Sequence, residues 1–365
     1  MIEFKLPSLG ADMDQGTLLE WRVKPGDTVK RGDVVALVDT TKAAVDVEIW
    51  EAGTVFEILV QPGEKIPVGT VLAMLLAPGE SRPVPPAAPA TPAPSVPRRQ
   101  ASPAARKRAA ELKIDLDGLA GTGPGGAVTL ADVETAAQAA APQDRAAQMR
   151  AAIAAAMSRS KREIPHYYLA ETVPLDRAVA WLSRTNEGLP VTERILMAAL
   201  FVKAVARAVR QYPEMNGYYR DGGFEPAAAT HIGVAISLRG GGLVAPALHD
   251  VGDKTLTQVM RELGDLVARA RAGSLRSSEM SDPSITVTNL GDQGVESVFG
   301  VIYPPQVALV GFGRMSERPW AVDGTVKPIP AVTASLAADH RVSDGHRGAA
   351  FLAGVRDLLA RPEDL

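Results

Sequence analysis

The chain has 365 residues, 46% of them hydrophobic and 22% charged, with a formal net charge of -3. That length exceeds what one hydrophobic core serves and predicts two or three domains, while the near-neutral balance supplies no basic field for nucleic acid. With no cysteine, the chain has no thiol nucleophile, disulfide or thiolate metal ligand of its own, so sulfur chemistry has to arrive on a cofactor; no metal site is expected.

Met1 runs directly into a strand-like segment, Ile2-Glu3-Phe4-Lys5-Leu6, without a basic and apolar leader. No later stretch approaches the roughly 18 uninterrupted apolar residues of a membrane span, so a cytoplasmic protein is expected. Gly16 to Val38 then repeats as Gly53 to Leu75 at constant offset, pairing Gly16 with Gly53, Glu20 with Glu57, Pro25 with Pro62, Gly26 with Gly63 and Gly32 with Gly69. Each half alternates β-branched runs with Pro-Gly punctuation, which predicts one small all-β barrel or sandwich built from two quasi-symmetric halves. Between the halves, Asp39-Thr40-Thr41-Lys42-Ala43-Ala44 breaks two apolar runs and marks a hairpin with Lys42 near its tip. A hairpin lysine is ordinarily a solvated charge, but its surroundings here make it a candidate carrier.

Eight prolines among the 23 residues from Ser81 to Pro103 make that stretch a semi-rigid linker, on the order of 70 Å long if fully extended at about 3.1 Å per residue. A short unit follows: a helix from Pro103 to Leu112, the loop Gly121 to Gly126, and a second helix near Leu130 to Ala136. An Ala/Gln-rich spacer leads to the third region. Helical periodicity there is strong from Ile195 to Val209 and from Leu256 to Ala270, with strand-like runs at Ile232–Leu238, Ile285–Thr288, Val307–Phe312 and Val332–Ala337. About 215 residues of mixed helix and strand predict an α/β or α+β domain of catalytic size.

Asp339-His340-Arg341-Val342-Ser343-Asp344-Gly345 follows the last of these strands. A histidine titrates near neutral pH, so it can take a proton from a thiol and return it. Read alone, the string is as consistent with a surface loop holding a solvated ion pair.

Taken together, these residues resemble the dihydrolipoamide acyltransferase component of 2-oxo acid dehydrogenase complexes. Residues 1–78 resemble the lipoyl domain, whose modified lysine occupies an Asp-Lys-Ala hairpin, and the neighbours Thr41 and Ala43 distinguish it from biotinyl domains, which flank their lysine with methionines. The resemblance implies covalent lipoate on Lys42. After the linker at 79–101, residues 102–136 resemble the peripheral subunit-binding domain. The resemblance implies that Arg106 contacts partner enzymes, although Ala127 and Leu130 stand where basic residues are usual. After a second linker at 137–149, residues 150–365 resemble the chloramphenicol acetyltransferase-like catalytic domain, through Arg150-x-x-Ile153-Ala154-x-x-Met157-x-x-Ser160, Ile164-Pro165-His166-Tyr167-Tyr168, Gly242-Leu243-Val244-Ala245-Pro246, Thr288-Asn289-Leu290-Gly291 and the His340 string. It departs from the family at Val301-Ile302-Tyr303, where Ile-Ile-Asn is more usual.

The resemblance implies His340 as general base, Asp344 as its structural and electrostatic partner, and Thr288, in place of the usual serine, as oxyanion donor. It also implies coenzyme A as substrate and a homotrimer that builds a larger core, with the active site between neighbouring subunits. The implied partners are a thiamine diphosphate-dependent decarboxylase and dihydrolipoamide dehydrogenase. The Asn-Leu-Gly run favours acetyl, with acetoin-derived acetyl or branched-chain acyl as alternatives. A non-catalytic lipoyl-bearing scaffold is the rival class, and it usually lacks the histidine. His166, His231, His249 and His346 carry no expected chemistry.

Overall fold

The structure is a computed structural model that describes residues 1–8, 13, 15–40, 44–77, 101–112, 121–123, 127–133, 145–238 and 242–365. Two compact units emerge, one joining Met1–Glu80 with Met149–Leu365 and the other spanning Ser81–Gln148.

The repeat folds as a sandwich of two open sheets. Its strands are β1 (Ile2–Lys5), β2 (Gln15–Trp21), β3 (Thr28–Val29), β4 (Val34–Asp39), β5 (Ala44–Glu48), β6 (Gly53–Ile58), β7 (Lys65–Pro67) and β8 (Val71–Leu76). One sheet runs β1-β8-β6-β3 and the other β5-β4-β2-β7, so each half of the repeat lends a short strand to the other's sheet. The turns repeat as well: the Gly26 N–H donates to Val55 O and the equivalent Gly63 N–H to Leu18 O, both at 2.7 Å. Both glycines sit at φ near +95° to +99°, which a side chain rarely tolerates. Leu18, Val38, Val45, Val47, Leu72 and Leu75 are buried in a common core.

The second unit contains α1 (Pro103–Leu112) and α2, described over residues 130–133. Ser102 Oγ accepts the Ala105 N–H at 3.1 Å, capping α1. Asp132 ties α2 to the loop by accepting from the Thr122 N–H and hydroxyl and the Thr129 N–H at 2.7–2.9 Å. Those donors hold its carboxyl well below the usual range.

The catalytic-sized region begins with α3 (Arg145–Glu163), β9 (His166–Pro174), α4 (Asp176–Thr185) and α5 (Met197–Ala208). The hairpin β10 (Gly217–Arg220) and β11 (Gly223–Pro226) follows, then β12 (Ile232–Val234), β13 (Ile236–Ser237), β14 (Leu243–Val244) and β15 (Ala247–Leu248). The remainder is α6 (Leu256–Ala272), β16 (Leu275–Arg276), α7 (Ser277–Ser281), β17 (Ile285–Asn289), β18 (Ala308–Phe312), β19 (Ser316–Val322), β20 (Thr325–Asp339) and α8 (Gly345–Leu359). A mixed sheet in the order β15-β12-β17-β18-β20-β19, with β9 also on β20, forms its spine. β12, β17 and β18 are parallel, whereas β20 is antiparallel to β18 and β9. Apolar residues of α5, α6 and α8 pack with the sheet in one core, where Phe201 and Phe312 stack at 4.1 Å. Among the described residues no helix is long and apolar enough to cross a membrane.

The predicted run Ile232–Leu238 proves to be two strands broken at Ala235, because Ala235 turns its N–H to Val287 O while Ile236 pairs with Val244 on a separate ribbon. The helix predicted at Leu256 is sharply bounded. Thr255 accepts the Gln258 N–H, the Gln258 side chain accepts the Thr255 N–H, and Gly273 closes the helix at φ +74°. Thr255→Ala is expected to lower stability by about 1 kcal/mol and Thr255→Ser to change it little, as read by the urea midpoint of the full chain.

Candidate active site

Lys42 lies outside the described residues, but the stems of its hairpin are in place: β4 and β5 pair antiparallel out to Asp39↔Ala44. Arg106 stands exposed on α1, its backbone N–H donating to Ser102 O.

β17 is buried from Ile285 to Val287 and emerges half-buried at Thr288 and exposed at Asn289. Asn289 Oδ1 accepts the Gly291 N–H at 2.9 Å, an Asx turn that ends the strand and fixes its tip. Thr288 lines a cleft of about 740 Å³ with Leu196, Ser237, Met260, Arg271 and Asn289. A hydroxyl at this place can donate one hydrogen bond into the cleft.

His340 begins the turn after β20. It is exposed, its backbone N–H donates to Pro165 O at 3.0 Å, and its ring meets Tyr167 edge-on with centroids 5.3 Å apart. The residue beneath it is what holds the turn. Asp339 is fully buried and accepts from the Arg341 N–H at 2.9 Å, from Nε at 3.0 and 3.1 Å and from Nη2 at 2.6 Å. Arg341 in turn lies 3.8 Å over the Tyr219 ring, a cation–π contact. Removing one partner of a buried pair costs on the order of 3–5 kcal/mol, and less here because the Arg341 side chain stays 30% exposed. His340 is thereby presented on a rigid base.

Asp344 is the N-cap of α8: its carboxylate accepts the Arg347 N–H at 2.9 Å, and that bond is the main reason its carboxyl is held below the usual range. The charge of His340 acts on it as a smaller influence. Tyr167 hydroxyl and Ser343 Oγ are 2.9 Å apart, bracing the same turn, and burial pushes the phenol up. His166 is structural. Its Nδ1 bonds Ile164 O at 2.9 Å and its Nε2 accepts the Ile302 N–H at 3.1 Å, while burial holds its pKa below the ordinary value. The unusual Val301-Ile302-Tyr303 run is anchored there, with Ile302 fully buried and its carbonyl accepting from Ser160 Oγ at 2.7 Å.

The sheet register decides which of these residues meet. Thr288 pairs with Gly311 and Gly311 with Ser335, whereas His340 lies five residues beyond Ser335. At about 3.3 Å per residue this is roughly 17 Å along the strand, with two inter-strand steps of about 5 Å across it. His340 and Asp344 bound the same turn between β20 and α8, close enough for the histidine to act on the carboxyl, whereas Thr288 of the same chain stands at the other end of the sheet.

Asp339, Arg341 and Tyr167 were not singled out from the sequence. The alternation of Asp339 and Arg341 around His340 was the available signal, but which of two nearby carboxylates goes inward depends on the burial of β20.

Comparison with known proteins gives a consistent picture. Residues 140–365 match the family model of 2-oxoacid dehydrogenases acyltransferase (catalytic domain), residues 2–75 that of biotin-requiring enzyme, and residues 99–134 the e3 binding domain. A dihydrolipoyllysine-residue acetyltransferase component of the pyruvate dehydrogenase complex from Zymomonas mobilis is 30% identical over 99% of this chain and 98% of its own. A mitochondrial counterpart from Caenorhabditis elegans is also 30% identical, over 99% and 84%. Among solved structures, a probable dihydrolipoamide acetyltransferase from Listeria monocytogenes aligns at TM-score 0.55 and 28% identity, covering 58% of this chain and 91% of that one. The dihydrolipoamide acetyltransferase of Azotobacter vinelandii, studied for the roles of a serine, a histidine and an asparagine in its catalytic mechanism, aligns at 0.56 and 27%, covering 60% and 90%.

Capping by Asp344 has a pH signature. Its lowered carboxyl pKa means that the stabilisation it adds is complete above the ordinary aspartate value of about 3.9 and is lost as pH falls through the lowered folded value. Asp344→Ala should lower the melting temperature at pH 7, and Asp344→Asn, which keeps an acceptor, should lower it less and remove that acid-side loss. Equal melting temperatures for all three proteins at pH 7 would contradict the capping role.

Proposed function

The chain belongs to the 2-oxoacid dehydrogenase acyltransferase family, and from that premise we propose how its residues divide the work of moving an acyl group from lipoyl-Lys42 to coenzyme A. The family membership carries the activity, acyl transfer in the acetyltransferase core of such a complex, and lipoate as the covalent group. Lipoate supplies a dithiol on which an acyl group travels as a thioester. The hairpin closed by Asp39↔Ala44 suits it, since a lysine at a turn between two strands can reach enzymes on either side.

His340, exposed on its Asp339–Arg341 base, takes the proton from the coenzyme A thiol as sulfur attacks the acyl carbon. The Thr288 hydroxyl donates to the acyl oxygen as negative charge gathers there. The protonated His340 would return its proton to the sulfur that leaves the acyl carbon, so that the base is regenerated. Asp344 acts on His340 from the start of α8, at the level of local geometry and charge.

The single observation that carries this division is the retained pair of an exposed histidine after β20 and a hydroxyl at the tip of β17. In the Azotobacter vinelandii enzyme the named serine precedes the histidine by the same number of residues as Thr288 precedes His340, and the asparagine follows at the spacing of Asp344. The register that separates Thr288 from His340 within one chain supports completion of the site by a neighbouring subunit, as in a homotrimer that builds a larger core. Acetyl is the acyl group of this reading, a thiamine diphosphate-dependent decarboxylase its source, and dihydrolipoamide dehydrogenase the partner held near Arg106. A cytoplasmic location goes with it.

His340→Ala should lower acyl transfer from acetyl-coenzyme A to free dihydrolipoamide by at least about a hundredfold, and Thr288→Ala by roughly 10²–10³, with Lys42 still lipoylated by mass. Undiminished transfer in His340→Ala would overturn the assignment. Across acetyl-, isobutyryl-, isovaleryl- and succinyl-coenzyme A, acetyl should be fastest, and a succinyl preference would reverse that ordering.

A further inference from the structure

β5, the strand that leaves the Lys42 hairpin, is the outer strand of its sheet within the repeat domain. An edge of this kind presents a row of unpaired N–H and C=O groups that another strand can complete. Its open side is covered by β16 of the catalytic region, paired in parallel with Val45 level with Leu275 and Asp46 level with Arg276. Val45 and Leu275 are both buried.

Beside the strand pair, the Glu48 carboxylate is 5% exposed and, among the described residues, rests on catalytic-region donors. Its Oε2 accepts from Ser278 Oγ at 2.6 Å, from the Ser278 N–H at 3.2 Å and from Ser277 Oγ at 3.4 Å, while the Glu48 N–H donates to Ser277 Oγ at 3.0 Å. Ser277 and Ser278 are 3% and 8% exposed. A carboxylate is costly to bury without such donors, so the contact is chemically specific. Met280 packs against the cores of both regions, and Ser8 shares a cavity of about 220 Å³ with Met280, Tyr218 and Pro305.

The direction of the pairing also has a meaning. The pairing is parallel, with Val45 level with Leu275, and Leu275 follows by four residues Arg271, which lines the Thr288 cleft. The end of β5 nearest Lys42 in sequence is thus paired with the end of β16 nearest Arg271 in sequence.

We propose that β16 and α7, Leu275–Ser281, form a docking ledge for the chain's own lysine-bearing domain, with Glu48 as the recognition carboxylate that seats it for transfer. This rests on the acyl-transfer reading above. One strand pair of two residue pairs and one carboxylate make a small interface, suited to reversible visits because the tether keeps the carrier at high effective concentration.

The test uses the full lipoylated chain and two substrates. From acetyl-coenzyme A, the rate of acetylation of the chain's own lipoyl-Lys42 is divided by the rate with free dihydrolipoamide, which cancels any general loss of competence. In Glu48→Lys this ratio should fall by about tenfold or more, and in Glu48→Gln by less. An unchanged ratio in Glu48→Lys would overturn the ledge, whereas absence of transfer to free dihydrolipoamide in the unsubstituted protein would instead overturn the acyl-transfer reading. A second measurement exploits the absence of native cysteines. Mild oxidation of an Asp46→Cys/Arg276→Cys chain should give an intramolecular disulfide that adding Glu48→Lys suppresses. No bond, or a bond only between chains, would contradict docking within the chain.

Discussion

The register of three adjacent strands governs the rest of the site. Because β17 and β18 run parallel and β20 returns antiparallel, the hydroxyl at the tip of β17 and the histidine after β20 leave the sheet at opposite ends. The separation of roughly 17 Å along the strands is too large for any side-chain rotation to close. Under the proposed division of work, the hydroxyl and the histidine of one chain face outward in two directions, and a neighbouring chain completes the site. On that proposal the site is shared between chains, and the closed symmetry of ordinary homo-oligomers supplies the means.

Rigidity is placed accordingly. Asp339 is buried and engaged four ways by Arg341, Asp344 caps α8, and Tyr167 braces Ser343, so the turn that presents His340 is fixed from three sides. The carrier is served differently. Its core is distinct from the catalytic core, and among the described residues it meets the catalytic region at one strand edge, at Glu48, at Met280 and beside Ser8. In the proposed division of work, the group that takes the proton stands on a braced turn, while the group that travels belongs to a domain with its own core.

Much of this was legible in the sequence where local patterns are strong. The two-fold repeat announced the sandwich and the Lys42 hairpin because Pro-Gly turns recur at one offset, and α6 was readable from its apolar stripe and its Thr255 cap. Other elements were opaque. α3 is rich in Ala and Arg without a continuous apolar stripe and passed for spacer at its start, and β9 showed only the Ile-Pro-His-Tyr-Tyr run that opens it. Asp339 and Asp344 look interchangeable around His340 in the string, and only the burial of β20 assigns one to Arg341 and the other to a helix cap. The pairing of β5 with β16 joins residues some 230 positions apart, for which neither strand carries a local signature.

The central claim, that Thr288 of one subunit acts with His340 of another, is tested most directly by complementation. His340→Ala and Thr288→Ala chains, each inactive alone, are co-expressed so that they assemble together, and transfer from acetyl-coenzyme A to dihydrolipoamide is measured. Random mixing should restore about a quarter of the unsubstituted activity, since that fraction of interfaces pairs an intact Thr288 with an intact His340 across two chains. Mixed assemblies as inactive as either parent would contradict the account.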